Sequence, residues 1–388
     1  MRLTLRWLCF GSVITLMLFL LILNLLPLFD PDFPAFYKST RSERPTITFR
    51  EFDITRPPKQ HLPFYPEDDP DRIYGDRIAA QLSFSTDKPV PLVSLVYVQT
   101  EEAEQSMWYL EGCPVKCYLS NMDQHIAGAS ALLFNPDFID RLPLIRRHNQ
   151  IWVLKLMESP YNTPNLVDFN GKINYTSSYR WDADFVSPYG RFIPVPPLAK
   201  PVIPRNKTKD VAWIVSHCFT VNNRMNYVRQ LQKHINVSIY GECGDGHKTE
   251  EEAKEIFKQH RFYLAFENSN CHDYITEKFF DNALKNGMIP IVMGPRKRDY
   301  ERVAPPHSFI HIEDFDTAEE LAKFLKYLSA DEDAFLKYFE WREKGTIVDS
   351  ALQCRLCIGL QDPRQKLYPD IEKWWHEAGD CESPRVPL

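Results

Sequence analysis

Glycine is scarce in this chain, 14 of 388 residues against 30 prolines. Neither G-x-x-x-x-G-K-[ST] nor G-x-G-x-x-G occurs. The glycine loops that wrap phosphates in P-loop and dinucleotide-binding folds are therefore missing. A basic excess is missing too. Forty-six Lys and Arg stand against 52 Asp and Glu, a net charge of −6, which removes the case for a nucleic-acid surface. No internal repeat stands out. Cys354-Arg-Leu-Cys357 has no neighbouring histidine cluster, and no Gly-Pro or helix-start context. Zinc ligation and thioredoxin-like redox chemistry thus lack support there, and disulfide bonding is the reading that remains.

Hydrophobic residues make up 44%, enough for a globular core alongside extended proline-rich segments, and the length suggests roughly two domains. Leu8 to Leu26 carries no charge and only Asn24 as a strongly polar residue, near the length that crosses a bilayer. Arg2 and Arg6 precede it and Asp30 and Asp32 follow, so the short N-terminal tail is expected in the cytosol. A cleaved signal peptide is the rival, opposed by the long Leu-rich run and the lack of a small-residue cleavage site. The reading is a type II anchor with the rest of the chain luminal. Cys9 lies in that span, which leaves an even set at 113, 117, 218, 243, 271, 354, 357 and 381. In an oxidising compartment this reads as disulfides whose connectivity spacing alone does not fix. Sequons at Asn174, Asn206 and Asn236 agree with secretory residence.

From Pro31 to about Lys88 the chain has no sustained periodicity and reads as a flexible stem, with its DDPD run a solvated acidic stretch. Buried strands are expected at Pro91–Val98, Ser130–Phe134 and Ile151–Leu156. Pro194 to Pro204 holds five prolines and reads as an interdomain linker. A second strand-turn-helix series follows: Asp210–Ser216, a turn to Arg224, an amphipathic helix through Ile235, a strand at Val237–Gly241 and a helix at Glu250–Lys258.

The stretch Phe262–Gly294 organises the whole. Phe262–Phe266 is a buried strand, ENSNCHD a polar turn, Tyr274 to about Asn286 a helix stopped by Gly287, and Met288–Met293 a second buried strand. At 100° per residue Tyr274, Glu277 and Lys278 share one helix face, opposite Ile275, Phe279, Phe280 and Ala283. A cation, a carboxylate and an aromatic ring at a helix start suit a diphosphate, a ribose hydroxyl and a base. An ordinary solvated face is the plainer alternative.

FYLAFENS, DYITEKFF and PIVMG together resemble the donor-site signature of the α1,3/4-fucosyltransferases, Golgi enzymes that use GDP-fucose. The resemblance runs from roughly Pro91 to Cys357. It implies that Tyr274, Glu277 and Lys278 contact the GDP moiety, with Glu267 and Asn268 of the preceding turn in the same donor set. It assigns Glu158, in the E-S-P turn after IWVLKL, as general base, and Arg224 as a phosphate contact. His217 stands where the family often has asparagine, and Val221 near where it often has a basic residue, which leaves the other contacts of that turn open. Tyr179-Arg-Trp-Asp-Ala-Asp184 and Pro188-Tyr-Gly190 also resemble family stretches. Asp182 and Asp184 imitate a metal-binding D-x-D, but the family leaves phosphate neutralisation to side chains and helix ends, so no metal ligand is assigned and no cofactor is required. Divalent ions would at most stimulate. By analogy with relatives, Cys354 and Cys357 pair with Cys113 and Cys117 rather than with each other.

The fold class expected is α/β, two Rossmann-like domains of the GT-B type behind a transmembrane helix and stem. Its divisions are a cytosolic tail (1–6), anchor (7–28), stem (29–88), acceptor-side domain (89–200), donor domain (205–361) and tail (362–388). The activity implied is inverting α1,3-transfer of fucose from GDP-fucose to a GlcNAc hydroxyl of glycoprotein glycans. SHC…NNRMNYVRQLQKHI, ENSNCHDYITEKFF and CRLC look most like enzymes that act on the N-glycan core. Alternatives are Lewis-type transfer to lactosamine, fucosylation of protein hydroxyls, and an inactive binder of glycans or GDP-fucose. The location implied is the Golgi membrane; the oligomeric state is not legible.

Overall fold

The computed structural model describes residues 64–68, 76–84, 93–100, 104–197 and 199–382. All of these belong to the larger of two compact units, 47–388. The expected cytosolic tail, membrane anchor and most of the stem lie outside the described residues. Among the described residues no helix is long and apolar enough to cross a membrane.

Two sheets carry the structure. The first contains β1 (Ser94–Val98), β2 (Met107–Tyr109), β3 (Cys117–Ser120), β4 (Ala131–Phe134), β5 (Ile151–Leu156), β6 (Tyr175–Ser178) and β7 (Phe185–Val186). Their order is 2-3-1-4-5-6-7, parallel throughout except for β2, which runs antiparallel to β3. After β8 (Arg191–Ile193) and an irregular proline-rich connection, the second sheet contains β9 (Lys209–Ile214), β10 (Val237–Tyr240), β11 (His260–Phe266), β12 (Ile289–Met293) and β13 (Ile310–His311). Its order, 10-9-11-12-13, is wholly parallel. That is the flavodoxin-like doubly wound order, and the chain reverses direction between β9 and β11.

Parallel strands are covered on both faces, which is why these segments read as unbroken apolar runs. In the second sheet Phe262, Leu264 and Phe266 of β11 enter one core with Val228 and Leu325, while Tyr263 and Ala265 enter another with Phe279 and Phe280. In the first, Leu154 and Leu156 face one core and Ile151 and Val153 the other.

Three expectations are corrected. The helix after ENSNCHD does not begin at Tyr274: residues 271–276 form an irregular turn with Asp273 in the left-handed region (φ 59°), and a π-helix spans Lys278–Leu284. The Glu267 carboxylate accepts from the backbone N–H of Thr276 at 2.8 Å and so holds the chain in a turn where a regular helix would otherwise start. The expected stem contains regular structure. Arg77–Leu82 is a helix capped by Asp76, whose Oδ1 accepts from the Ala79 N–H at 3.0 Å. Its Gln81 is fully buried between Arg355 and the Asp184 carbonyl. Finally, the segment after Gly345 leaves the second sheet. β14 (Thr346–Val348) pairs antiparallel with β8. Leu356 and Leu360 join one core of the first sheet, while Ile371 and Trp375 of the expected tail join the other at 0% exposure.

Disulfides fasten that return. Cys113 bonds Cys354 and Cys117 bonds Cys357, each across about 240 residues of sequence, and Cys218–Cys243 and Cys271–Cys381 complete the set. Among the sequons, Asn206 and Asn236 are exposed. Asn174 is not available: it is 3% exposed, donates to the Lys366 carbonyl at 2.9 Å and accepts from the Trp152 N–H at 2.8 Å. A glycan on its Nδ2 has no room in this fold.

Candidate active site

The carboxyl ends of β5 and β11 meet. Ser159 and Ser269, both fully buried, touch hydroxyl to hydroxyl at 3.0 Å. Beside them Glu158 leaves β5 into a proline-bounded turn and remains exposed. Its Oε1 accepts three hydrogen bonds: from its neighbour's N–H (Ser159, 2.7 Å), from Asn268 Nδ2 (3.1 Å) and from the Tyr274 hydroxyl (2.6 Å). Among the described residues no hydrogen bond falls on Oε2, which is left for chemistry. Partial burial pushes the Glu158 carboxyl up, but the donors from Tyr274, Ser159 and Asn268, with the charge of Lys278, outweigh it and hold the group below the usual carboxylate range. It is ionised at neutral pH. Tyr179 steadies the turn by donating to the Glu158 carbonyl at 3.2 Å, as does Tyr189 to the Met157 carbonyl at 2.8 Å. A cleft of about 320 Å³ opens here, lined by Asn135 and Pro136 after β4, by Lys155 to Glu158, by Asn162 to Pro164 and by Tyr189.

The second sheet supplies the charges at its reversal point, the crevice where doubly wound folds take ligands. Arg224 opens the helix Arg224–Leu231 after β9, yet its guanidinium turns inward, 2% exposed. It donates to the Phe266 carbonyl and, at 3.0 Å, to the His217 carbonyl, bridging the turns after β11 and β9. Burial lowers its pKa, opposed by the charge of Glu267. Glu267 is fully buried at the end of β11, where desolvation raises its pKa against the pull of Lys278. Lys278 Nζ lies 2.9 Å from the Thr276 hydroxyl, 3.0 Å from Glu277 and 3.3 Å from Glu267. Burial alone would lower its pKa, but the two carboxylates outweigh that and raise it. Lys278 keeps 19% of its side chain exposed and Glu277 45%. One accessible cation thus sits on a buried counter-ion, near enough to Arg224 and Glu158 to feel both charges.

The residues expected from sequence therefore converge, with differences of role: Arg224 and Glu267 lie buried beneath the turn, and Tyr274 changes partner. Tyr274 is 2% exposed and packs its ring on Tyr179, centroids 5.2 Å apart. A ring so enclosed cannot stack on a base; its hydroxyl serves Glu158. The face expected to be shared by Tyr274, Glu277 and Lys278 reduces to Glu277 and Lys278, because Tyr274 precedes the helix. Asp182 and Asp184 do not form a pair. Asp182 is bound by Arg180, while Asp184, fully buried, meets Lys366 Nζ at 2.6 Å and the Tyr368 hydroxyl at 2.9 Å. Sequence reasoning passed over Asn222, which donates to the Glu267 carbonyl and to Asn270 Oδ1, both at 2.9 Å. It also passed over Thr276, which clamps Glu267. A polar residue just ahead of a helix start was the available signal for Asn222; nothing local marked Thr276.

Comparison with known proteins gives the arrangement its context. Residues 92–190 match the model for "Fucosyltransferase, N-terminal", and residues 204–374 that for "Glycosyltransferase family 10 (fucosyltransferase) C-term". The chain is 35% identical over 350 residues to glycoprotein 3-alpha-L-fucosyltransferase A of Drosophila melanogaster, covering 83% of this chain and 69% of that protein. It is 40% identical over 239 residues to a 3-galactosyl-N-acetylglucosaminide 4-alpha-L-fucosyltransferase of Bos taurus, covering 60% and 65%. A crystal structure of an alpha1,3-fucosyltransferase with GDP-fucose superposes on 74% of this chain and 94% of its own, with a TM-score of 0.46 and 15% identity. The chain belongs to glycosyltransferase family 10, the fucosyltransferases, and is an enzyme of that family.

Proposed function

We propose that this enzyme is an inverting α1,3-fucosyltransferase of the GT-B type, moving L-fucose from GDP-β-L-fucose to a GlcNAc hydroxyl of glycoprotein glycans, the N-glycan core first among them. The observation that carries this reading is the Glu158 carboxylate of one sheet held at 3.1 and 2.6 Å by Asn268 and Tyr274 of the other. A base on the acceptor side is thereby set against the turn that would receive the donor. Fucose is β-linked in the donor and α-linked in the product, so a single displacement suffices. Glu158 Oε2 takes the proton of the acceptor hydroxyl as its oxygen attacks the anomeric carbon, and the cleft of about 320 Å³ beside it receives the acceptor sugar. The C–O bond to GDP breaks, and negative charge grows on the departing diphosphate. Lys278 meets that charge directly, with Arg224 contributing its field from beneath. Side chains thus supply the positive charge that other transferases take from a metal.

Supporting the core acceptor are the SHC, ENSNCHDYITEKFF and CRLC segments and the name of the Drosophila relative. The bovine relative's name supports transfer to galactosyl-GlcNAc as the second reading. A glycan panel with product-linkage mapping separates the two. Golgi membrane residence, with the catalytic part luminal, rests on Leu8–Leu26 and its flanking charges. Imaging the tagged full chain against a form lacking residues 1–28 tests it, and unchanged retention of the shortened form would refute it.

Glu158→Gln tests the mechanism. It keeps the size and the Oε1 acceptor but cannot take the proton, so transfer should fall ~10²–10⁴-fold while GDP-fucose affinity holds. An unchanged rate, or a loss of donor binding equal to the loss of rate, would remove Glu158 as the base and favour an inactive binder or a structural role.

A further inference from the structure

The turn that carries Tyr274 also carries a cluster the transfer reaction does not use. One donor atom from each of His272, Asp273 and Asp299 lies within 4.8 Å of the others, an arrangement found nowhere else among the described residues. His272 Nε2 is 3.3 Å from Asp273 Oδ2, and its Nδ1 is 3.2 Å from Asp299 Oδ1. The two carboxylates are 3% and 4% exposed, whereas the imidazole at 33% opens the cluster to solvent.

Protein groups alone leave this cluster under-neutralised. A neutral imidazole has one N–H to offer two carboxylates. An imidazolium serves both and still leaves a net negative charge. Asp273 Oδ2 has the Trp181 N–H at 3.1 Å, but the other oxygen, Oδ1, is buried without a hydrogen-bond partner, which is costly for a carboxylate. The surrounding cations do not close the gap. Arg298 reaches Asp299 only at 3.8 Å, Arg302 lies over the Trp181 ring, and Arg180 is committed to Asp182 and the carbonyls of Trp374 and Trp375.

We propose that His272, Asp273 and Asp299 form a binding site for a divalent transition-metal cation, Zn²⁺ or Mn²⁺, that clamps the turn and takes no part in the chemistry. One imidazole with two carboxylates is a donor set for such ions, whereas Ca²⁺ and Mg²⁺ prefer oxygen alone. Metal–ligand bonds of ~2.0–2.2 Å set ligand atoms about 3.3 Å apart in a tetrahedron, and the three candidate donor atoms, already within 4.8 Å of one another, need only a small inward movement to reach that spacing. Bound there, the ion ties the turn after β11 to the helix Lys297–Val303, one residue from the Tyr274 that holds Glu158.

Full-length enzyme stripped by a chelator and titrated with Zn²⁺, Mn²⁺ or Ca²⁺, with bound metal and melting temperature both measured, tests this. The expected result is a single Zn²⁺ or Mn²⁺ per chain, a melting temperature raised by that metal, and little response to Ca²⁺. His272→Gln and Asp299→Asn should each weaken binding by at least ~10–100-fold and abolish the thermal shift, whereas Asp182→Asn should leave both intact. Asp299 Oδ2 also accepts from the Arg296 N–H at 3.2 Å, capping the helix Lys297–Val303; should Asp299→Asn fail to fold through loss of that cap, the half-exposed His272→Gln decides. With Co²⁺, the native enzyme should show d–d absorption that His272→Gln lacks. Absence of bound metal and of the cobalt spectrum in the native enzyme, or equal binding by His272→Gln, would overturn the site.

Discussion

Replacing Tyr274 with phenylalanine removes one hydroxyl and leaves the ring packed on Tyr179. That hydroxyl is 2.6 Å from Glu158 Oε1, the shortest of the three bonds the carboxylate accepts. A hydrogen bond to a charged group contributes ~1.5–3 kcal/mol. Losing that donor removes one of the causes that hold Glu158 below its ordinary value, so its pKa should rise in Tyr274→Phe. The sign follows from its role. A general base works ionised, so kcat/KM falls as pH drops through its pKa, and lifting that pKa moves the acid limb of the profile to higher pH. The assay is kcat/KM for GDP-fucose and for acceptor across the acid range. Because Tyr274 is 2% exposed, the donor KM should change by no more than about 3-fold, while the plateau drops only ~10-fold as Glu158 loses one of its restraints. An unmoved acid limb with a large rise in donor KM would refute the reasoning and return Tyr274 to the direct donor contact that the family resemblance implies.

The remaining predictions concern charge and covalent ties. Lys278→Ala should cost ~10²–10³-fold in turnover, and stability as well, because it strands the buried Glu267. Arg224→Ala should cost turnover on the same scale with a larger fall in melting temperature, since the buried Phe266 carbonyl and the part-buried His217 carbonyl lose their donor; full activity in either folded variant would sink the donor-site reading. With side chains supplying the positive charge, transfer should persist in excess EDTA, and complete loss restored by manganese would contradict this. Non-reducing peptide mapping should recover Cys113–Cys354 and Cys117–Cys357. Their contributions should be strongly non-additive: the first bond closes a loop of about 240 residues, for roughly 5 kcal/mol in the chain-entropy model. With it in place, the second closes a ring of only about ten residues, for roughly 2–3 kcal/mol. Removing one bridge should therefore cost about a third of what removing both costs, and equal, additive losses on thermal unfolding would refute the parallel-clamp account.

What the sequence determined by itself was periodic or chemical in kind. Unbroken apolar runs such as IWVLKL and FYLAF announced strands covered on both faces, because a strand exposed on one side would alternate. The ENS turn and the E-S-P turn each followed such a run, so both could be placed at carboxyl ends of parallel strands, where ligands bind. Oxidised cysteines followed from their even number beyond the expected anchor. Tertiary structure decided whatever depended on partners distant in sequence. Tyr274 looked like a free aromatic on a helix face, but the buried Glu267 clamps Thr276, delays the helix and turns the Tyr274 hydroxyl onto Glu158, 116 residues away. Arg224 stood at a helix start like a phosphate ligand, yet carbonyls after β9 and β11 draw it inward. Asn174 satisfied the sequon but lies under Lys366, because the C-terminal segment that seemed to close the donor domain returns to complete the first core. Local pattern encodes which face of an element is apolar; which polar group finds which partner is fixed only when both sheets are packed.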